Sequence, residues 1–388
     1  MPFLKRGHPL TRFRLLGQPS RETLLQAAEH LARVGFRPID TLPDETAAGW
    51  VNGDDPTDSE WRTSRPDRLA HLFWTLRYDK RTVPAQLLDV RTRLKIKERL
   101  ERRRAEIKEK VLINFVNKDE KAEIREQVRL ALLSQTAPVP TLADVVWINH
   151  ADADTAELWL CSTQSTLVDM VRPLFDKTFN VMVRPVTPFT PRPPEAEDWP
   201  ENIGNRFLTW LQTHDGHSLD VAGTDVAVNF ERLTIADTAG DCVIKAVVGE
   251  SDPDEVERGF ENGMLVRESD LFLGISGDGY KVRVKGEDFT MRLETTFWHM
   301  DREDPDGSFA DKVLSVERFN TVWDKLYRLW LVQEKRLSEE QAAKPENDVK
   351  PLAAQLARQG ATSVEKTAGG VTVHYKDGSS MTVIRGGK

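Results

Sequence analysis

The chain has 388 residues, of which 39% are hydrophobic and 30% charged, with 23 Gly and 21 Pro. This length predicts two or three domains, and this composition is typical of a globular protein rather than a collagenous or broadly disordered chain. The apolar runs are a few residues long, far below the ~18 residues of a membrane span, so we expect no membrane protein.

Targeting and redox features are few. Residues 1–17 carry four basic side chains but lack the apolar stretch of a secretory signal, so we expect a cytoplasmic protein. The two cysteines, Cys161 and Cys242, lie far apart and form no CxxC motif. We therefore expect reduced, buried thiols and neither a disulfide framework nor a structural zinc site.

Charge is distributed unevenly along the chain. The net charge of −8 would by itself disfavour a polyanionic partner, but residues 1–135 hold 27 Lys and Arg against 20 Asp and Glu, whereas residues 136–388 hold 27 against 42. Residues 91–110 alone hold ten basic and four acidic side chains. In a helix this cluster would extend over about 30 Å, and it is the main charge feature of the chain.

The N-terminal region, residues 1–184, is predicted to mix helices and strands. It opens with a strand at 10–16, a helix capped by Ser20 and a strand at 36–39. An aromatic strand is predicted at 69–78. The buried stripe of the first helix is expected to contain Leu24, Leu25, Ala28 and Leu31.

Two helices are predicted between residues 84 and 134. Pro84 suits the first turn of a long helix that reaches about residue 110 without a further Gly or Pro. Asn117 and Glu120 form a capping-box pattern ahead of the second helix. The buried stripe of the second helix is expected to contain Ile124, Val128, Ala131 and Leu132.

Beyond these helices we predict a hairpin at 143–149 and 158–162, a helix from Ser165 and a strand at 181–184. Residues 185–200 hold six prolines and are predicted to link two domains. The second domain, residues 201–336, is predicted to contain an antiparallel sheet and a final long helix. Its predicted strands are 226–235, 242–248, 265–275, 280–284 and 289–296, and its predicted helices are 203–212, 254–261 and 308–335.

The final 52 residues, 337–388, read as a polar segment followed by a small appended unit. This unit is predicted to hold a helix at 352–358 and three strands, near 364, 371–375 and 381–384, with a turn at 376–378. The fold class predicted for the whole chain is α+β, with antiparallel sheets, long helices and several domains.

The basic helical pair, residues 84–134, is the leading candidate for function, because Lys and Arg neutralise phosphates and release counterions from a duplex. No aromatic residues interleave the basic ones and no sequence-reading motif occurs, so we expect contacts with the phosphate backbone. The predicted DNA-binding residues are Arg91, Lys95, Lys97, Arg99, Arg102, Arg103, Arg104, Lys108, Lys110, Lys118, Lys121 and Arg125.

A solvated helix face remains the alternative interpretation of this cluster. Glu98 and Arg102 have the i,i+4 spacing of ion pairs that decorate many exposed helices. On a helical wheel Arg91, Lys95 and Arg102 lie opposite an apolar stripe, and Arg99 and Arg103 lie on its flank. The expected stripe contains Ile96, Leu100, Ile107 and Val111.

A metal-dependent nuclease is the alternative function, and it would need a carboxylate cluster. Two sets of acidic side chains qualify, although Asp-rich turns are common for local hydrogen-bonding reasons. The first set is His150, Asp152 and Asp154, and the second is His299, Asp301, Glu303, Asp304 and Asp306. His214 and His217 lack a third zinc ligand, and Gly274, Gly277 and Gly279 fit a hairpin turn better than a phosphate loop. We predict no catalytic residue, metal or cofactor.

Several short segments, in order, resemble the RdgC family of bacterial recombination-associated DNA-binding proteins. The resemblance rests on scattered motifs across roughly residues 1–335. They are Phe3-Leu4-Lys5, Arg12-Phe13-Arg14-Leu15, Gly49-Trp50-Val51, Val83-Pro84, Leu132-Leu133, Trp147-Ile148, Phe207-Leu208-Thr209-Trp210 and residues 240–245.

The resemblance implies a homodimer closed into a ring that encircles duplex DNA without sequence specificity, limits RecA-driven recombination and associates with the nucleoid. A positive lining would reconcile DNA binding with an acidic chain. Only the basic residues between 95 and 110, together with Lys118, Lys121 and Arg125, match the basic region of the family. Residues 337–388 have no counterpart in it, and the linker at 185–200 is richer in proline.

Overall fold

A computed structural model describes most of the chain. The described residues are 3–17, 19–40, 44–63, 65–106, 116–148, 156–190, 200–296, 298–301, 303–343, 361–367, 370–375 and 380–384. Side chains are described as far as Lys335, apart from that of Glu106, and beyond Lys335 only the backbone is described.

The described residues form eight helices and sixteen strands. The helices are α1 Arg21–Leu25, α2 Ala27–Arg33, α3 Ala85–Glu106, α4 Lys118–Gln135, α5 Ser165–Phe179, α6 Ile203–Gln212, α7 Pro253–Glu261 and α8 Pro305–Ala343. The strands are β1 Gly7–Leu16, β2 Thr46–Asn52, β3 Asp67–Arg68, β4 His71–Lys80, β5 Val139–Ile148, β6 Glu157–Leu160, β7 Met182–Pro185, β8 His217–Val221, β9 Thr224–Ala236, β10 Val243–Val247, β11 Leu265–Ile275, β12 Asp278–Lys285, β13 Met291–Thr295, β14 Ala361–Thr367, β15 Gly370–Tyr375 and β16 Ser380–Ile384.

Thirteen strands form one sheet, in which the strands pair antiparallel. The main path runs β10-β9-β11-β12-β13-β1-β6-β5-β4-β2, and β3, β7 and β8 pair with β4, β1 and β9. The strand β1 joins the two halves, because its first residues pair with β13 and its later residues pair with β6 and β7. The α+β class with antiparallel sheets is therefore confirmed.

The division of the chain differs from the predicted boundary at 185–200. Residues Met1–Asp324 form one compact unit and Lys325–Lys388 a second. Strands from both predicted domains pair directly in the large sheet, so the two predicted domains share one unit. The division falls inside α8, whereas most of the predicted linker, residues 191–199, lies outside the described residues.

The first core lies between α5 and one face of the strands β1, β2, β4, β5 and β6. Trp74 meets Trp50 edge to face at 5.9 Å between ring centroids, and Trp147 meets Phe175 at 5.1 Å. The core side of α5 carries an apolar residue every fourth position, at Leu167, Val171, Phe175 and Phe179. Trp50, Trp74 and Trp147 are therefore buried core residues.

A second core is built by α6 and α8 against β11, β12 and β13. Trp323 of α8 contacts Phe207 of α6 and Phe289, with ring centroids 5.3 and 5.7 Å apart. Phe319 packs on Tyr280 at 5.5 Å. Phe319 and Trp323 of α8 are buried; further along the helix Leu326 and Trp330 are buried and Leu329 is half-buried.

Buried polar side chains join β1 to α8 within the first unit. The guanidinium of Arg12 donates to both Glu157, at 2.5 and 3.0 Å, and Asp324, at 2.7 and 2.8 Å. Burial by itself would lower the pKa of Arg12, but the two carboxylates raise it above its ordinary value. The amine of Lys312 donates to Thr295 and to the carbonyl of Arg6, both at 3.1 Å. These contacts attach the part of α8 that belongs to the first unit to β1 and to the end of β13.

The helix caps and hairpins, which depend on residues close together in the chain, match their predictions. Ser20 caps α1 through the amide of Thr23, and Asn117 caps α4 through the amide of Glu120 at 2.7 Å. The hairpin of β5 and β6 is confirmed, although residues 149–155 between its strands lie outside the described residues. The glycines near 277 lie in the β11–β12 hairpin, where Ser276 and Gly277 both have positive φ.

Some predictions were wrong. Residues 36–39 form no strand: the pairing with Trp50 of β2 is an isolated bridge of Gly35, closed by the amide of Phe36, and it does not continue along the segment. Leu25 is 79% exposed, since the predicted helix is interrupted at Gln26 between α1 and α2. Cys161 is buried as expected, but Cys242 is exposed.

The second unit contains a three-stranded antiparallel meander in the order β14-β15-β16. It confirms the three strands predicted for the appended segment. The predicted helix at 352–358 and the turn at 376–378 lie outside the described residues.

Candidate nucleic-acid interface

The helices α3 and α4 form an antiparallel pair, because the end of α3 meets the start of α4. The guanidinium of Arg103 donates to Glu120 at 2.6 Å, and Arg99 lies 3.5 Å from the same carboxylate. Near the opposite end of α3, Asp89 accepts from Arg125 of α4 at 2.5 Å. Ion pairs therefore set the alignment of the two helices.

Few side chains of this pair are buried. Only Leu88 and Thr92 of α3 and Ile124 and Leu133 of α4 are buried among the described residues of the two helices. The predicted apolar stripes are correspondingly weak: Ile96, Leu100, Val128 and Leu132 are half-buried, and Ala131 is exposed. Ile107 and Val111 lie outside the described residues. Most of the surface of the pair is therefore open to solvent.

The predicted basic residues fall into two groups, and the first makes ion pairs within the helices. Lys95 pairs with Glu98 at 3.2 Å and Lys97 with Glu101 at 3.9 Å, as the solvated-face interpretation expects. Together with Arg99, Arg103 and Arg125, these side chains already have carboxylate partners. Such exposed pairs contribute ~0–1 kcal/mol each, so a phosphate can compete for them.

The second group consists of three predicted residues that have no carboxylate partner among the described residues. Arg91, Arg102 and Lys118 are exposed and make no ion pair with any residue in the described ranges. Arg93, which the sequence analysis did not select, has the same properties. Arg104 and Lys121 are exposed as well, whereas Lys108 and Lys110 lie outside the described residues.

The basic side chains lie on two sides of the helical pair. At about 100° per residue, Arg91, Lys95 and Arg102 fall within about 40° of one another on α3. Asp89 lies about 160° away from Arg91 on the same wheel. Since Asp89 contacts Arg125, Arg125 approaches the side of α3 that carries Asp89, while Arg91 and Arg102 lie on the other side.

Arginine 129 is a further basic residue of α4 that the sequence analysis left out. It donates to Glu126 and to Glu45, each at 3.0 Å, and these hydrogen bonds raise the pKa of Arg129 above its ordinary value. The hydrogen bond from Arg129 also lowers the pKa of Glu126. This side chain joins α4 to the segment ahead of β2 through exposed ion pairs.

The acidic sets considered for a nuclease are used in local hydrogen bonds where they are described. Asp301 accepts from the amide of Glu303 at 2.8 Å, and Asp304 accepts from the amide of Gly307 at 2.9 Å. Asp306 pairs with Arg68. No group of three His, Cys, Asp or Glu side chains with metal-binding geometry occurs in the described ranges, and residues 150–154 lie outside them.

The segment His214-Asp215-Gly216 forms a turn, and His217 is the first residue of β8. Asp215 accepts from the amide of Phe230 at 2.8 Å, and the Nδ1 atoms of His214 and His217 lie 3.0 and 2.8 Å from the carbonyls of Trp210 and Asp215. The strand β8 itself was missed, because these turn residues were considered as ligands. Turn formation accounts for the segment.

Among the described helices, none combines the length and the apolar content of a membrane span. Comparison with protein-family models and with curated proteins finds no match to this chain. The resemblance to the RdgC family therefore stays a hypothesis based on short motifs.

Proposed function

We propose that the protein binds double-stranded DNA through its phosphate backbone, with the α3–α4 pair as the main contact surface. The observation that carries this proposal is the set of exposed cations without carboxylate partners among the described residues: Arg91, Arg93, Arg102 and Lys118. Other basic residues of the two helices form weak ion pairs at the surface. A duplex can replace these pairs because its phosphates offer a denser array of negative charge.

Binding of this type is independent of sequence. Phosphate contacts set the position of a duplex but do not distinguish base pairs. The described faces of α3 and α4 offer mainly Lys, Arg and Glu and no aromatic side chain for stacking on bases. We therefore expect duplexes of unrelated sequence to bind with similar affinity.

The test is a titration of two fluorescently labelled duplexes of unrelated sequence at several salt concentrations, followed by fluorescence anisotropy. The variant Arg91→Gln/Arg102→Gln/Lys118→Gln removes three cations that have no described carboxylate partner. We expect the slope of log affinity against log salt to become shallower by about 2.7, which is about 0.9 for each lost phosphate contact on B-DNA. Equal slopes for wild type and variant would rule out this surface.

A matched control changes charge elsewhere in the same unit. Arg172 of α5 and Arg232 of β9 are exposed and make no ion pair with the described residues. The variant Arg172→Gln/Arg232→Gln should bind DNA like the wild type. Incubation of the protein with Mg²⁺ and a linear duplex tests the nuclease alternative. A nuclease would degrade the duplex, and the degradation would depend on Asp301 or Asp304.

The resemblance extends the proposal to a ring-shaped homodimer that limits RecA-driven recombination. A homodimer would present the α3–α4 pair twice to one duplex. Mass measurement by light scattering, with and without DNA, tests the dimer, and a strand-exchange assay with added protein tests the effect on RecA. A monomer at all concentrations would remove the ring from the proposal.

A further inference from the structure

Two arginines lie side by side near the end of β1, one on β1 and the other on β7. Arg14 of β1 lies directly opposite Arg184 of β7 in the antiparallel ladder. Side chains at opposite positions have Cβ atoms about 4.5–5.5 Å apart, and like charges there destabilise the ladder. Arg184 is exposed and Arg14 is half-buried. The two arginine side chains therefore start from neighbouring positions on one face of the sheet.

Two carboxylates on the Arg14 side of this pair are already occupied. Glu157 of β6 is the other cross-strand neighbour of Arg14, but both of its oxygens accept from Arg12, and one also accepts from Trp159 at 2.8 Å. Asp324 is also engaged by Arg12 through both oxygens. Neither Arg14 nor Arg184 makes an ion pair with any residue of the described ranges.

Another arginine pair in the same sheet behaves differently. Arg283 of β12 lies opposite Arg292 of β13, but Arg283 is held by both oxygens of Asp270, at 2.5 and 2.7 Å. At this position the carboxylate of Asp270 neutralises one of the two arginines. The pair of Arg14 and Arg184 keeps both charges free for an external anion.

The adjoining register position is apolar. Leu16 lies opposite Met182, on the same face as the two arginines, and these side chains are 47% and 60% exposed. A phosphate can accept hydrogen bonds from two guanidinium groups at once. Apolar surface next to this anion position suits a nucleotide unit, whose sugar lies beside its phosphate, better than a free phosphate ion.

We propose that Arg14 and Arg184 together bind one phosphate group of a phosphodiester strand, as a second nucleic-acid contact separate from α3 and α4. The choice of DNA as the source of this phosphate rests on the proposed function. The site would add one phosphate contact to those of the helical pair, and it would keep a strand against the end of β1 and β7.

The test compares the variant Arg14→Gln/Arg184→Gln with the control Arg172→Gln/Arg232→Gln, which removes the same number of cations. We expect the double variant at 14 and 184 to bind duplex DNA roughly tenfold more weakly at low salt, with a salt slope shallower by about 0.9. The control should match the wild type. The midpoint of thermal unfolding should not fall in the variant, because a repulsive pair is removed.

A second arm uses inorganic pyrophosphate, at constant ionic strength, and measures the midpoint of thermal unfolding. Stabilisation of the wild type that disappears in the variant, with unchanged DNA binding, would keep the phosphate site and assign it to a free phosphate compound. If neither DNA affinity nor pyrophosphate stabilisation changes, the site is overturned. If the wild type binds no DNA, the proposed function fails, and the pyrophosphate arm alone decides on this site.

Discussion

Arg12 and Glu157 occupy neighbouring strands, and Asp324 reaches them from α8. The side chain of Arg12 is 5% exposed, so its charge is separated from water and needs both carboxylates. A buried charge that loses its partners is expensive, whereas exposed pairs contribute little. The sequence does not distinguish Arg12 from Arg14. Only the fold shows that Arg12 is the buried arginine, held by two carboxylates.

The variant Arg12→Met should therefore destabilise the first unit by about 3–5 kcal/mol, because it leaves two carboxylates without their shared cation. Urea unfolding followed by tryptophan fluorescence measures this loss. The control is Arg6→Met, since Arg6 pairs with Glu294 at 3.0 Å but is 57% exposed. A loss as small for Arg12 as for Arg6 would contradict the structural role.

His8 predicts a dependence of stability on pH. Burial, together with the charges of Lys312 and Arg292, lowers the pKa of His8 to about 3. In the unfolded chain His8 takes up a proton below its ordinary pKa of about 6.5, whereas in the folded protein His8 remains neutral down to about pH 3. The free energy of unfolding therefore falls as the pH drops from about 6.5 towards 3.

Between pH 6.5 and pH 5 we expect His8 to account for a loss of about 2 kcal/mol in the free energy of unfolding. Urea unfolding of the wild type and of His8→Leu at both pH values measures it. The variant should lose less stability than the wild type over this interval. Equal losses would mean that His8 is protonated in the folded protein.

At the scale of elements, α6 shows how a close approach fixes a residue type. A Cβ atom on Gly204 would lie 1.9 Å from the carbonyl oxygen of Gly286 in the turn between β12 and β13. The sequence predicts α6 from its apolar pattern but gives no reason for a glycine within it. Only the packed structure reveals the contact.

The variant Gly204→Ala should cost about 2–3 kcal/mol of unfolding free energy, because α6 must move away from the turn. The control is Gly274→Ala, where the nearest atom to the added Cβ is the Cβ of Ala227 at 3.4 Å. Denaturation midpoints compare the two. An unchanged denaturation midpoint for Gly204→Ala would show that α6 does not pack closely on this turn.

The helical pair is the opposite case at this scale. Its composition predicts α3 and α4 correctly, and the Asn117 cap fixes the start of α4. Burial is confined to a few side chains, so the two helices add little to the core. Replacing their exposed cations should consequently affect ligand binding more than stability, as the titration above requires.

At the scale of the whole molecule, one sheet connects both predicted domains. The pair of Trp74 and Val145 lies in one half, and the pair of Leu271 and Val282 lies in the other. Because β1 pairs with strands of both halves, unfolding of either half removes hydrogen bonds that β1 makes to it.

We therefore expect a single cooperative unfolding transition for residues 1–324. Hydrogen exchange of the strand amides at Trp74, Val145, Leu271 and Val282 should give the same opening free energy under conditions of global unfolding. Calorimetry should agree with a two-state enthalpy for this unit. Two separated opening energies would favour independent domains divided near residues 185–200.

The sequence by itself determined the helices, most strands, the caps and the concentration of positive charge, because these depend on composition and on residues three or four positions apart. It did not determine which arginines are free. That depends on which carboxylates the fold brings within about 3 Å, and these partners are distant in sequence, as for Arg12 and Asp324. The joining of both halves through β1 is also a tertiary result, because pairing between distant strands leaves no mark in local periodicity.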